Sequence, residues 1–537
     1  MAKSQLGFIE SLKAQRLNIE QICEQSGVAG LSITLIHKGE TVFQDSLGYR
    51  DVDKQEPVTS DTIFHIASLT KSFTGACIDR LMAQGKLAFD DPIQKHLPEA
   101  KSRDACVAEE ATIADLLGHR TGLQRANKIL LGASNELLIN KDQTVCIFNR
   151  LQPQTSLRSS FRYNNICYAL LGEIIERLTG QSYHQYVKQN FLDPLNMTRT
   201  LTTKDDGLPD NSSLAYATLN NGKPYNVPLP AISASRAMGA AGGLLSSAND
   251  LTKYYNSLMK SWTHQTQSQN HNYTTQESEA VFEDFSYLFS PLQIMPPLSL
   301  REKSYAAGWA RSQLPTSVGD IGVNPSLVKR MPLLADGIDS RLAFWHQGSL
   351  VGATSFVMLL PETQSAVLVL TNTMALNDAA DWIGQLLVET LLDSPIRSDY
   401  VRLASESADR ALEKYAELTQ QVEVGRERKG PSRHVSDYVG SFVGFGGIFR
   451  IEIVEGEGGL EILFQGRESQ RFKFRHHHDE TFTWFISRDE LIRRAMVVVY
   501  DPVYYMIHFQ IGESGEVVGL NWVHDPGMPE GEDFLRE

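Results

Sequence analysis

The sequence predicts an α/β (α+β) protein: an antiparallel sheet flanked by helices, followed by a C-terminal eight-stranded antiparallel β-barrel. Three observations carry this reading. Strand-like runs stand near the chain start and again at 341–373, with a mostly helical middle, so one sheet should join both chain ends. A charged helix running into a Gly-Pro break occupies 395–433 and reads as a linker. Beyond it, short strand-like runs follow one another closely, as in a small barrel. The division expected is a catalytic domain over 1–394, a helical linker over 395–433 and a barrel over 434–537.

The elements follow in order. "MAKSQLGFIESLKAQRLNIEQICEQSG" is an amphipathic helix. "AGLSITLIHKGETVFQDSLGYRD" (29–51) alternates as two strands around a Lys38-Gly39 turn. "KSFTGACIDRLMAQGKL" (71–87) is helical and apolar on more than one face, so it should be buried centrally. Residues 111–260 are mostly helices and loops, and the polar tract 263–278 reads as an exposed loop. "DAADWIGQLLVETLL" (378–392) returns to helix. The barrel strands are expected at 437–443, 448–454, 460–465, 470–475, 481–487, 495–501, 504–511 and 517–523. "LEILFQG" (460–466) resembles a protease tag site but lies inside this pattern and is read as native.

Composition excludes several functions. The formal charge of −14 leaves no basic excess for nucleic acid or an anionic membrane surface. No run of 18 apolar residues and no signal-like leader is found, so a cytoplasmic protein is expected. The five cysteines, Cys23, Cys77, Cys106, Cys146 and Cys167, form neither a disulfide framework nor a C-x-x-C zinc pair. "HHHD" (476–479) reads as an exposed hairpin, because consecutive strand residues alternate faces and cannot converge on a metal.

Chemistry enters at "TIFHIASLTKSF" (62–73). Ser68 and Lys71 are three apart and share one helix face. A lysine held near the core has a lowered pKa and can take a proton from the serine hydroxyl. S-x-x-K also occurs at Ser257–Lys260 and Ser326–Lys329, but only Ser68 opens a helix with apolar faces. The second element is "FRYNNICYALLGEIIERLTG" (161–180), where Tyr163 and Asn165 precede an amphipathic helix. A phenol can shuttle a proton and an amide can orient lysine and substrate, although Asn165 also suits a helix cap. Y-x-N recurs at Tyr254–Asn256. The third is "FWHQGSLVGATSFVML" (344–359), where His346 ends a strand-like run and Gly348 allows close approach of a ligand to the backbone. H-x-G recurs at a hairpin turn, His37 to Gly39.

In the order S-x-x-K, Y-x-N, H-x-G the chain resembles the serine β-lactamase and penicillin-binding-protein superfamily, in its class C, carboxypeptidase and esterase branch. "TIADLLGHRTGL" (112–123), "AMGAAGGLLSSANDLTKY" (237–254) and "YAAGW" (305–309) match its connecting segments, over roughly 28–392. More weakly, the barrel resembles the lipocalin-like domain of some D-aminopeptidases. The resemblance implies the β-lactamase/transpeptidase-like fold and an acyl-enzyme on Ser68. Lys71 and Tyr163 would share the proton transfers, in an order left open, and Asn165 would fix Lys71 and a substrate amide. Backbone N–H groups of Ser68 and Ser349 would bind the oxyanion, and His346 would line the pocket and polarise Tyr163 or the substrate. No metal or organic cofactor is implied. The partner expected is a small ester, amide or short peptide, with homo-oligomerisation left open. Two features depart from the pattern: His346 stands where β-lactamases usually carry lysine, and Gln347 replaces a frequent glycine. The activities expected are ester or amide hydrolysis or, alternatively, acyl transfer to an alcohol or amine; a non-catalytic scaffold is the third reading.

Overall fold

The computed structural model describes residues 9–204, 207–268, 281–282, 287–427, 429–525 and 527–537. Its centre is a nine-stranded antiparallel sheet. The strands in chain order are β1 (Gly30–His37), β2 (Glu40–Asp51), β3 (Glu56–Pro57), β4 (Gln293–Ile294), β5 (Lys303–Tyr305), β6 (Ala310–Leu314), β7 (Arg341–Leu350), β8 (Ala353–Leu360) and β9 (Ser365–Thr371). Their spatial order is β3-β2-β1-β9-β8-β7-β6-β5-β4. The sheet joins the two strand-rich stretches that precede the barrel: Ile33 of β1 pairs with Val369 of β9.

Helices cover both faces of the sheet: α1 (Arg16–Ser26), α2 (Thr70–Ala83), α3 (Asn165–Thr179), α4 (Ala248–Ser268), α5 (Ala379–Leu391) and α6 (Tyr400–Glu423). Strand alternation sorts the core into two layers. Phe344, Val357, Leu368 and Leu370 pack in the cluster that holds Phe73 of α2, Ile166 of α3 and Tyr254 of α4. Trp345, Phe356, Val367 and Val369 pack in the cluster with Ile19 of α1, Trp382 and Ile383 of α5 and Leu403 of α6. The central burial expected of α2 holds: its residues 70–79 and Leu81 are all buried. Among the described residues no helix is long and apolar enough to cross a membrane.

Two expectations need correction. The polar tract 263–278 does not begin as a loop, because residues 263–268 are the last turns of α4; residues 269–278 lie outside the described residues. The second correction concerns the barrel, which is closed and eight-stranded: β10 (Gly440–Gly444), β11 (Phe449–Gly456), β12 (Gly459–Phe464), β13 (Arg471–His478), β14 (Thr481–Thr483), β15 (Met506–Ile511), β16 (Val517–Trp522) and β17 (Glu532–Arg536). Before it, the 395–433 segment contains the helix α6, which buries Leu403, Ala404, Ala408, Ala411, Tyr415, Leu418 and Val422. The run 495–501 is not a strand. It follows the helix α7 (Arg488–Arg493) as irregular chain, and β17 closes the barrel instead, pairing with β10 and β16.

Aromatic side chains fill the barrel. Trp484 and Trp522 flank Phe464, with ring centroids 5.3 and 4.9 Å away. The "HHHD" segment bulges between His476 and His478, which turns His477 inward; it is buried, its Nε2 against the carbonyl of Val422 at 2.7 Å. No group of three or more His, Cys, Asp or Glu among the described residues is placed to hold a metal ion.

Candidate active site

The chain reaches the site through the two-residue strand Phe64–His65 and turns through Ala67–Leu69 directly into α2. Ala67 has φ 48°, a left-handed conformation that costs a non-glycine residue about 1–2 kcal/mol. Neighbouring groups hold it there. The Ala67 N–H donates to His65 Nδ1 at 3.4 Å, and His65 Nε2 lies 3.2 Å from the carbonyl of Ile232. Burial pulls His65 down to about 4, so it keeps the neutral tautomer these bonds need. Within the turn Ala67 and Leu69 are buried, and Ser68 is left half-exposed, on the wall of a cavity of about 290 Å³.

Lys71, one helical turn on, is 0% exposed. Its Nζ lies 3.2 Å from Ser68 Oγ, 2.8 Å from Asn165 Oδ1 and 2.7 Å from the carbonyl of Ala241. Burial holds the amine well below the ordinary lysine value. The other two S-x-x-K lysines, Lys260 and Lys329, are exposed. Gly308 of "YAAGW" explains part of the enclosure: it has φ 84°, and a Cβ there would stand 2.4 Å from the Lys71 carbonyl.

Asn165 is not the cap of α3. Asn164 is, its side chain accepting from the Ile166 N–H at 2.9 Å, which frees Asn165 to face Lys71. Asn165 Nδ2 also donates to Asn127 Oδ1 at 3.1 Å, a partner nothing in the sequence suggested. Tyr163 packs beside the lysine, with Nζ 4.8 Å from its ring centroid. Its hydroxyl is buried near Ser68 without a well-formed hydrogen bond. Burial raises this phenol well above its ordinary value, against smaller pulls from Ser68 and Arg125.

His346 stands behind Tyr163, ring centroids 6.1 Å apart, rather than on the cavity wall. Its Nε2 is 3.0 Å from the Tyr305 hydroxyl and its Nδ1 is 2.6 Å from the Gln347 carbonyl. Burial, then the nearby Lys71, lowers it to about 3, so it is a neutral imidazole. A second buried histidine, His119, was not singled out by the sequence. Its ring lies 4.3 Å from Tyr163 and 4.8 Å from Tyr305, and its Nδ1 accepts from the Asn164 N–H at 3.1 Å.

The space left by Gly348 is filled by protein, not by a ligand. A Cβ there would meet Ser355 Oγ at 2.2 Å and the Ile66 carbonyl at 2.6 Å, so glycine lets β7 lie against the Ser68 turn. The next residue, Ser349, lines the cavity. Gln347 points elsewhere, accepting from the Gly322 N–H at 2.9 Å and donating to Asp378 Oδ2 at 3.0 Å. The arginine in "LLGHRTGL" also finds a role: Arg120 and Arg158 both bind the fully buried Asp115, at 2.5 and 2.8 Å.

The barrel completes the cavity. Arg488 of α7, Met496, Val497, Val498, Tyr500 and Tyr504 form one wall of it. Docking is fixed on the loop after Asn127. Gln470 Oε1 accepts from the Ala133 N–H at 2.7 Å, and Gln465 Nε2 donates to the Leu138 carbonyl at 2.7 Å.

The chain is similar to known proteins. Protein flp of Staphylococcus aureus (strain MRSA252) is 31% identical over 202 residues, 37% of this chain, and the chain spans 40% of that relative's length. Gigasin-6 of Magallana gigas is 26% identical over 250 residues, 45% of this chain and 81% of its own. The octameric penicillin-binding protein homologue from Pyrococcus abyssi has the same fold, with a TM-score of 0.54 at 20% identity over 99% of this chain and 100% of that one. Residues 425–533, which take in most of the barrel, match a domain of unknown function, DUF3471. The Beta-lactamase family model matches residues 16–390, which hold Ser68, Lys71, Tyr163, Asn165 and His346, and the chain belongs to that family.

Proposed function

We propose that the protein is a serine hydrolase that forms an acyl-enzyme on Ser68 and cleaves an ester or amide of a small molecule or short peptide. The observation that carries this is the buried amine of Lys71 at 3.2 Å from Ser68 Oγ. A neutral amine has two N–H donors and one lone pair. The carbonyls of Asn165 and Ala241 take the two donors, so the lone pair is left for the serine hydroxyl. Opposite shifts then divide the labour: Lys71, lowered, is the base of acylation, and Tyr163, raised, stays a phenol and passes a proton to the leaving group. The Ser68 and Ser349 N–H groups bind the oxyanion, a contribution of about 10²–10³ in rate per donor. His346 acts from behind, holding Tyr163 and Tyr305 in place.

The apolar barrel wall favours a second reading, in which an alcohol or amine seated there takes the acyl group instead of water. On the precedent of the octameric neighbour we also propose self-association, using exposed Ile294, Leu298 and Leu300 at the sheet edge. A fluorophosphonate probe should label Ser68, and Ser68→Ala should abolish labelling; labelling that survives moves the nucleophile elsewhere. Product analysis with and without an added alcohol separates hydrolysis from transfer.

A further inference from the structure

We propose that Gln347 sets a size limit on the substrate: its side-chain amide holds the loop 321–327 against the cavity, which excludes groups that are bulky beside the reacting carbonyl. The inference rests on Ser68 as the reacting residue and adds a selection by size. Gln347 is a positioning residue here. It acts through the loop, whose Val323 and Leu327 line the cavity.

Strand alternation puts Gln347 on the face of β7 that carries Trp345, toward α5, and away from His346. There one buried carboxamide joins two separate segments. Its oxygen accepts from the Gly322 N–H at 2.9 Å, and its NH2 donates to Asp378 Oδ2 at 3.0 Å. A carboxamide carries both an acceptor and a donor, and the glycine frequent at this position carries neither. Both segments belong to the cavity wall, which takes Val323 and Leu327 from one and Met374, Leu376 and Asp378 from the other. Gly322 is matched to this contact. A Cβ there would stand 2.4 Å from Gln347 Nε2 and 2.8 Å from Asp378 Oδ2, so any larger residue pushes the loop off the amide.

The rest of the loop is pinned at two further points. Asn324 ties it to the start of α5: Oδ1 accepts from the Asp378 N–H at 2.9 Å and Nδ2 donates to Asp381 Oδ2 at 2.8 Å. Lys414 of α6 ties it to the barrel side. Its Nζ donates to the Ser326 carbonyl at 3.3 Å and lies over the ring of Tyr500, 4.7 Å from the centroid. The loop thus runs from β7, two residues short of Ser349, to the barrel wall of the cavity.

Apolar burial does not fix the end nearest Gln347. Leu327 is 4% exposed, but Val323 is 48% exposed, so little buried area holds it down. Val323 stands between the two anchored residues, Gly322 and Asn324. Without the Gln347 amide the loop keeps its anchor at Asn324 and swings about it, which carries Val323 outward and opens the cavity beside Ser349.

The test uses the full chain and two pairs of esters. p-Nitrophenyl benzoate against p-nitrophenyl acetate adds bulk to the acyl group, and 1-naphthyl acetate against phenyl acetate adds it to the leaving group. Each large-to-small ratio of kcat/KM is divided by the wild-type ratio, which cancels the intrinsic reactivity of the esters. Gln347→Gly should raise this figure at least about tenfold in one of the pairs, with kcat/KM for the small ester unchanged. Gln347→Met fills the space but cannot accept the Gly322 N–H, and should do the same. Gly322→Ala should reach the same end from the loop side, and it decides alone where Gln347→Gly does not fold. Amide hydrogen exchange across the loop should quicken in each variant. Unchanged ratios in variants of unchanged thermal midpoint overturn the proposal. So does a wild-type ratio in Gln347→Met, because bulk rather than the amide then holds the loop. An equal loss for large and small esters overturns it too, by assigning Gln347 to the strand that carries Ser349. Fluorophosphonate labelling of the wild type reports on Ser68 separately. No labelling removes the hydrolase reading and the size limit with it; labelling with unchanged ratios removes the size limit alone.

Discussion

Replacing Lys71 by methionine keeps an unbranched stem of the same length and removes the amine at its end. Two buried acceptors, Asn165 Oδ1 and the Ala241 carbonyl, then lose their donor, at about 1–3 kcal/mol each. A pH dependence overlies this constant cost. Burial holds Lys71 well below 10.5 in the folded protein, whereas the unfolded chain titrates at the ordinary value. Between those two points the unfolded state binds one proton more than the folded state. Wild-type stability therefore rises with pH across that window and falls as pH drops toward the folded value. The slope is up to about 1.4 kcal/mol per pH unit, so from pH 7 to pH 9 the wild type should gain up to about 2.7 kcal/mol on Lys71→Met. All other groups titrate alike in both proteins and cancel. The assay is urea denaturation of the pair at pH 7, 8 and 9, taking the difference in midpoint times the common m-value. A difference that does not change with pH means that Lys71 folds as an ammonium, and the assignment of Lys71 as the base is then wrong.

Tyr163→Phe removes a buried hydroxyl that has no well-formed hydrogen bond. Thermal stability should hold or rise by up to about 1 kcal/mol while kcat falls at least about 100-fold; a loss of stability with unchanged kcat contradicts its place in the proton relay. Met496→Ala opens the barrel wall of the cavity, so kcat/KM should shift toward bulkier acyl groups while Ser68 labelling is unchanged. An identical substrate profile would take the barrel out of the site. Nitrocefin turnover should be slow or absent from pH 5 to pH 8, because His346, lowered to about 3, offers no cation for a β-lactam carboxylate at that position. Efficient turnover at neutral pH refutes this.

The main sheet was legible because its strands obey two simple patterns. β1 and β2 alternate around the Lys38-Gly39 turn, and β7 to β9 are apolar runs that end where glycine or polar residues intervene. Ser68 and Lys71 were legible because their three-residue spacing opens a helix with apolar faces, a setting that the other two S-x-x-K pairs lack. The barrel's expected sixth strand and its actual eighth show where local sequence fails. "AMVVVY" (495–500) is β-branched and reads as a strand, yet Met496 to Val498 and Tyr500 are used to wall the cavity. "EDFLR" (532–536) has little strand character of its own and is extended because β10 and β16 both pair with it. Asn127 and Arg488 left no local signal at all. Their position depends on a loop and a barrel helix meeting over Ser68, a tertiary event that no periodicity encodes.

The pairing of β1 with β9 also sets a timetable for synthesis. β1 leaves the ribosome before the rest of the sheet, and all but its last residue are buried in the finished protein. Its hairpin partner β2 follows at once, but the other edge of β1 waits for β9, about 330 residues later. At translation rates of about 5–20 residues per second, that apolar edge stands unpaired for roughly 15–70 s. During that interval any extended segment of a neighbouring nascent chain can compete for it. Yield of active protein should therefore depend on chaperone supply and on expression temperature more than the stability of the folded state would suggest.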